Sequence, residues 1–275
     1  MTYWERQPGA DLRPWVRAVW YAQGMDFAHR CERILPTGRA QLIVSLARDF
    51  LVNCQEGQPE ARMAPALVVG QRSVYEVIDT SDLADLMGAV FEPGALPVFL
   101  ADAADRVTNG FAALEDVCGG ADALRERLRE ACGGEERLRL LEAFLRERIR
   151  ARLERGRVAM HPAVQFALEE LGRQPAVVRV REVARSTGWS ERRFLEIFRE
   201  EVGFAPKVWC RIQRFQGVVQ QMHRGAEVRW PELALQCGFY DQAHLANEFR
   251  AFAGMSPTTY AGTQNRVWAN HVRVE

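Results

Sequence analysis

Apolar and polar positions follow two regimes along the chain. Up to about residue 118 the apolar positions come in short or alternating runs: Trp15–Tyr21, Arg33–Leu35, Ala40–Leu46, Phe50–Cys54, Ala66–Val69 and Asp85–Phe91. Turn residues separate them, as in Pro36-Thr37-Gly38, Gly57-Gln58-Pro59 and Glu92-Pro93-Gly94, so each run predicts a strand and the set predicts a sandwich or barrel. From Ala121 the period lengthens. Leu138, Leu141, Leu145, Ile149 and Leu153 recur three and four apart between arginines and glutamates, which predicts an amphipathic helix. Such a stripe does not say what covers it; its own β domain and the antiparallel seam of a dimer are both open. Arg155-Gly156-Arg157 reads as a short polar linker. Beyond it Val164, Phe166, Ala167, Leu168 and Leu171 predict a packed helix after Pro162.

The last hundred residues hold the most specific pattern. Trp230–Cys237 predicts a short helix opened by Pro231 and stopped by Gly238, and Asp241 caps a second whose apolar side is Leu245, Phe249 and Phe252. Gln242, His244, Asn247 and Arg250 point elsewhere, leaving a polar face. Two short helices around a glycine turn form a helix-turn-helix. The plan occurs earlier too: Val183 and Ala184 face inward, Gly188 turns, Ser190 caps, and Phe194, Ile197 and Phe198 form the apolar side. Glu191, Arg192, Leu195, Glu196 and Arg199 remain outside, and Arg193 is a further DNA-binding candidate. Between the copies, Val208, Ile212, Phe215, Val218, Val219 and Met222 predict one connecting helix, about 22 Å long for roughly 15 residues.

From His161 to Tyr260, and above all in GF-x-DQAHL-x-x-EFR-x-F-x-G-x-SP-x-x-Y, the chain resembles the DNA-binding domain of the AraC/XylS family of transcription regulators. The resemblance implies two helix-turn-helix units on one connecting helix, with both second helices entering successive major grooves of double-stranded DNA. Carried over by position, the base-facing residues are Arg192, Leu195 and Glu196 in the first unit and Gln242, His244 and Asn247 in the second. Leu195 and Glu196 depart from the polar or basic residues usual there, and a carboxylate near phosphates is repelled unless it accepts from a cytosine amine. The runs RILPTGRAQLIV and GAVFEPGALPVFL resemble the cupin-like N-terminal domain of one subgroup of these regulators. That resemblance implies a sensor of a small molecule, dimerisation, and contact with RNA polymerase if the protein activates. The expected fold is therefore α+β: a mainly β domain over 1–118, a helical connector over 119–157, an all-α domain over 158–262, and a tail over 263–275 without a clear period.

Composition adjusts this picture in a few places. The chain balances 36 basic against 36 acidic residues, but from Val158 onward there are 15 basic and 12 acidic ones, a net of +3. A modest excess suits DNA binding through placed contacts rather than a general positive field. Lys207 is the lone lysine, an arginine bias that points to a GC-rich bacterial genome. No run approaches a membrane span or signal peptide, so a cytoplasmic protein is expected. Cys31, Cys54, Cys118, Cys132, Cys210 and Cys237 form no C-x-x-C pair, so neither zinc nor a disulfide framework is expected. A metal-dependent cupin enzyme needs several histidines, and the β region holds only His29. No cofactor and no metal is expected. Trp20, Tyr21, Arg33 and Tyr75 are the candidate lining of a ligand cavity, with ordinary core packing the bland alternative. Competing readings are a DNA-repair or cupin-type enzyme fused to a DNA-binding domain, and an interaction protein whose helices no longer touch DNA. The first lacks an activated thiolate; the capped helices and polar faces oppose the second.

Overall fold

A computed structural model describes residues 2–25, 27–54, 59–156, 160–173, 175, 179–224, 229–263 and 268–274. The expected turn at Gly57-Gln58 and the end of the linker at Arg157 lie outside these residues. The strands are β1 (Thr2–Arg6), β2 (Val16–Gln23), β3 (Cys31–Ile34), β4 (Gln41–Ser45), β5 (Leu51–Asn53), β6 (Ala61–Met63), β7 (Ala66–Val69), β8 (Glu76–Asp79), β9 (Asp85–Phe91), β10 (Phe111–Ala113) and β11 (His271–Arg273). They form a six-stranded sheet, β1-β2-β9-β4-β7-β10, and a five-stranded sheet, β11-β3-β8-β5-β6. Every pairing described is antiparallel.

Alternation along the six-stranded sheet sorts its side chains onto two faces. Val19 and Tyr21 of β2, Leu42 and Val44 of β4, Ala66 and Val68 of β7, and Met87 and Ala89 of β9 enter one core. Trp20, Ala22, Ile43, Leu67, Val69 and Leu86 turn the other way, toward Leu51 and Ile78 of the second sheet. The first face is covered by helices α1 (Leu96–Leu100), α2 (Leu114–Cys118), α3 (Ala121–Glu130) and α4 (Gly134–Glu154). Leu138, Leu141, Leu145 and Ile149 of α4 are all spent in that core, so the leucine stripe belongs to its own domain and is not an open dimer seam. Of the stripe, Leu153 stays exposed.

The helical part runs α5 (Pro162–Arg173), α6 (Val180–Ser186), α7 (Glu191–Val202), α8 (Pro206–His223), α9 (Trp230–Gln236), α10 (Gln242–Ala253) and α11 (Pro257–Thr263). One apolar core joins α5 through α11, with Phe194, Phe198, Phe215, Phe249 and Tyr260 at its centre. Phe166, expected to pack there, is 40% exposed instead, because the helix buries Val164, Ala167 and Leu171. Leu35 from the β part and Val272 from the tail belong to the same core. The tail crosses back: β11 pairs with β3, and the Leu35 N–H donates to the Asn270 carbonyl at 2.8 Å.

Candidate nucleic-acid interface

Two helices of twelve residues, α7 and α10, carry the candidate reading faces. Each begins at a side-chain cap. Ser190 accepts from the Arg193 N–H at 3.3 Å, and Asp241 accepts from the His244 N–H at 2.7 Å, satisfying donors the first turn leaves open. Each ends at a left-handed glycine, Gly203 (φ +84°) or Gly254 (φ +69°). Caps and glycines both stand 51 positions apart, so the two helices present equivalent steps to a partner.

Their polar faces differ. On α7, Arg192 and Arg193 reach the Glu196 carboxylate at 3.0 and 3.5 Å. Hydrogen bonding from Arg192 holds that carboxyl below its ordinary range. Arg193 also lies over the Trp189 ring, 5.7 Å from its centre. Leu195, expected to face bases, is half-buried and packs on the helical core; an apolar side chain beside Phe194 gains more there than in water. Arg199 pairs with Asp105 of the β part at 3.3 Å rather than with Glu196.

On α10, Gln242, Asn247 and Arg250 are exposed, and Arg250 has no ion pair among the described residues. Glu248 turns inward, taking Arg211 of α8 in a two-pronged bond at 2.7 and 2.8 Å. His244 turns partly back: its ring stands edge-on to Phe239, and Nδ1 accepts from the Tyr240 N–H at 3.3 Å. One neighbour escaped the sequence reading. Tyr240, just ahead of the cap, is 85% exposed, whereas its counterpart Trp189 is half-buried against His161. An aromatic one step before a helix cap was the available signal.

The four candidate ligand residues separate. Trp20 lines a cavity of about 500 Å³, together with Tyr3, Arg17 and Arg39 from the β side, Trp268 from the tail and Gln216 from α8. Tyr21 does not: it is fully buried on the opposite face, stacked on Trp4 and accepting a hydrogen bond from Arg137. Arg33 and Tyr75 do not either; the Arg33 guanidinium lies 4.8 Å over the Tyr75 ring, and Tyr75 meets the helical part. Arg39 holds a buried Nε without a hydrogen-bond partner, its Nη2 stands 3.8 Å from Glu92, and burial with nearby Arg17 pushes its pKa down. His29 is no loose turn histidine: it meets buried Glu32 at 2.9 Å, and His271 meets the other oxygen at 2.7 Å. Among the described residues no group of three or more His, Cys, Asp or Glu side chains is arranged to hold a metal.

Paired, capped helix-turn-helix units with outward polar faces define a DNA-binding transcription regulator. Residues 183–263 match the family model of a helix-turn-helix domain, and residues 5–112 match that of a domain of unknown function, DUF6597. The DNA-binding domain of AdpA, solved in complex with a target DNA, is 31% identical over 36% of this chain and 86% of that one, with a TM-score of 0.31. The C-terminal domain of AraT, a response regulator from Geobacillus stearothermophilus, is 18% identical over 38% and 88%, at 0.36. ToxT from Vibrio cholerae is 11% identical over 95% and 97%, at 0.40. No curated protein matches the chain. Residues 183–263 thus form a helix-turn-helix domain of the AraC type.

Proposed function

We propose that α7 and α10 read two successive major-groove segments of double-stranded DNA and that α10 carries most of the base discrimination. The supporting observation is the contrast between the faces: Gln242 and Asn247 are exposed, while Arg192 and Arg193 both pair with the Glu196 carboxylate. Exposed amides at these steps suit adenine, and a two-pronged amide-to-adenine pair discriminates by about 1 to 3 kcal/mol. Arg193, Ser190 and Arg250 then serve as phosphate contacts that set register without reading sequence. Anisotropy titration on DNA flanking the gene and on scrambled DNA, across a salt series, tests this. The expected result is tight binding to the first with a shallow salt slope; equal binding to both sinks the reading.

The cavity beside Trp20 supports a sensor role, because a molecule seated there would touch Gln216, Gln220 and His223 of α8, the helix that joins the two units. Such a molecule regulates only if it binds two states unequally. Candidate ligands are to be screened by quenching of Trp20 and Trp268 fluorescence, followed by DNA titration; a compound that quenches without moving DNA affinity is no effector. We assign the protein no catalysis: burial raises the thiol pKa of Cys237 and pushes that of Cys210 to about 11, the reverse of an activated nucleophile. A cytoplasmic regulator, homodimeric through a surface other than the α4 stripe and touching RNA polymerase if it activates, completes the reading. No described helix is long and apolar enough to cross a membrane.

A further inference from the structure

The glycines that end the two recognition helices meet the same loop of the β domain. A Cβ on Gly203 would stand 1.2 Å from Nε2 of Gln71, and one on Gly254 would stand 2.3 Å from the Tyr75 ring. Gln71 and Tyr75 lie in the one connection between β7 and β8. Left-handed backbone already favours glycine at a helix end; here, in addition, a Cβ would displace the neighbouring side chain.

Hydrogen bonds fix both approaches. The Tyr75 N–H donates to the Phe252 carbonyl in the last turn of α10, at 3.1 Å. The Thr108 hydroxyl donates to the Gly203 carbonyl at 2.9 Å, and the buried Gln71 amide donates to Thr108 Oγ1 at 2.7 Å. The β7–β8 loop therefore holds the C-terminal end of α10 directly and that of α7 through Thr108, which precedes β10, and carbonyls that a helix end leaves open find donors in the other domain.

We infer that Gln71 and Tyr75 are positioning residues for DNA reading: they hold α7 and α10 at the one separation that matches the spacing of the two DNA segments. This rests on the two-helix reading proposed above. α8 joins the end of α7 to the start of the second unit, so it leaves the C-terminal end of α10 to be held by something else. Spacing is a sensitive quantity, since one inserted base pair moves the second segment by about 3.4 Å and turns it by about 34° around the axis. The loop also gives the β domain a direct handle on the helices, separate from the cavity beside α8.

The test is selection of binding sites from a random duplex pool by the full-length protein, followed by titration of sites carrying one inserted base pair. Wild type is expected to select two motifs at one spacing and to lose about tenfold on the insertion, whereas Q71A/Y75A selects the same motifs and loses less than about threefold. Tyr75→Phe keeps the ring and should behave as wild type. If Q71A/Y75A fails to fold, Thr108→Val, which removes the bond to Gly203, takes its place and should relax spacing in the same direction. Retention of the tenfold penalty by the folded loop variants overturns the inference and leaves α8 as the spacer. Selection of a single motif by wild type overturns the two-helix reading itself, and the inference with it.

Discussion

Asn247 and Glu196 occupy the same step of their helices, 51 residues apart, and their surroundings separate their roles. Asn247 is exposed, so Asn247→Ala is expected to lower affinity for specific DNA by about tenfold or more, with non-specific affinity unchanged; anisotropy on both DNAs measures it, and equal losses would count against readout. Glu196 sits between two guanidinium groups that keep it ionised. Glu196→Gln frees those cations, so non-specific binding should strengthen and the slope of log affinity against log salt should steepen by roughly 1; an unchanged slope would show that neither arginine reaches a phosphate. The face of each residue was partly legible beforehand. Trp20 and Tyr21 are neighbours on one strand, and the twofold period sends them to opposite faces, so one cavity could never hold both. Arg33 and Tyr75 gave no such sign, because the surface they meet comes from a segment far along the chain.

Helix boundaries were the most readable elements, since caps, turn glycines and the 3.6-residue period are local properties: Ser190, Asp241, Gly188 and Gly238 all stand where those signals put them. β8, β10 and β11 were not legible, being short strands whose existence depends on a partner rather than on their own pattern. Contacts between helices were equally hidden. Both carboxylate oxygens of Glu201, near the end of α7, accept from the His161 N–H just before α5, at 3.1 and 2.9 Å. Burial, with Glu200 nearby, raises its pKa from the usual carboxylate range to about 7. The folded chain thus holds a proton there that the unfolded chain releases near pH 4.5, and stability should fall as pH rises from about 4.5 to 7. Because Glu201 is only partly buried, the discounted effect is about 1 kcal/mol. Glu201→Gln cannot ionise and its carbonyl still accepts, so by urea melts the variant should exceed wild type at pH 8 and match it near pH 4.5. The opposite order would mean that the charged form is the better cap.

At the scale of the whole molecule, the tail ties the two domains together. Val272 is fully buried in the helical core, while its own strand extends the five-stranded sheet. Gln216 of α8 donates to Pro36 of the β part at 2.7 Å and to Asn270 at 2.8 Å, and the Tyr260 hydroxyl donates to the Ala269 carbonyl at 2.7 Å. His271 supplies one of two imidazole partners to Glu32, which is 1% exposed. Removing residues 264–275 takes away all of these except the Gln216–Pro36 bond and leaves β3 with an open edge. Loss of Val272 burial alone costs about 2 kcal/mol, and at this size that corresponds to a fall in melting temperature of roughly 4–8 °C. The Glu32 carboxylate, left with His29, adds to the loss, since a buried charge deprived of a partner is costly. Calorimetry should show one cooperative transition for the full chain and two for the truncated one, because Leu35 and Val272 carry the helical core into the β part. A single transition within about 2 °C of the full chain would mean that the grip of Gln71 and Tyr75 on the recognition helices is enough to keep the two domains one folding unit.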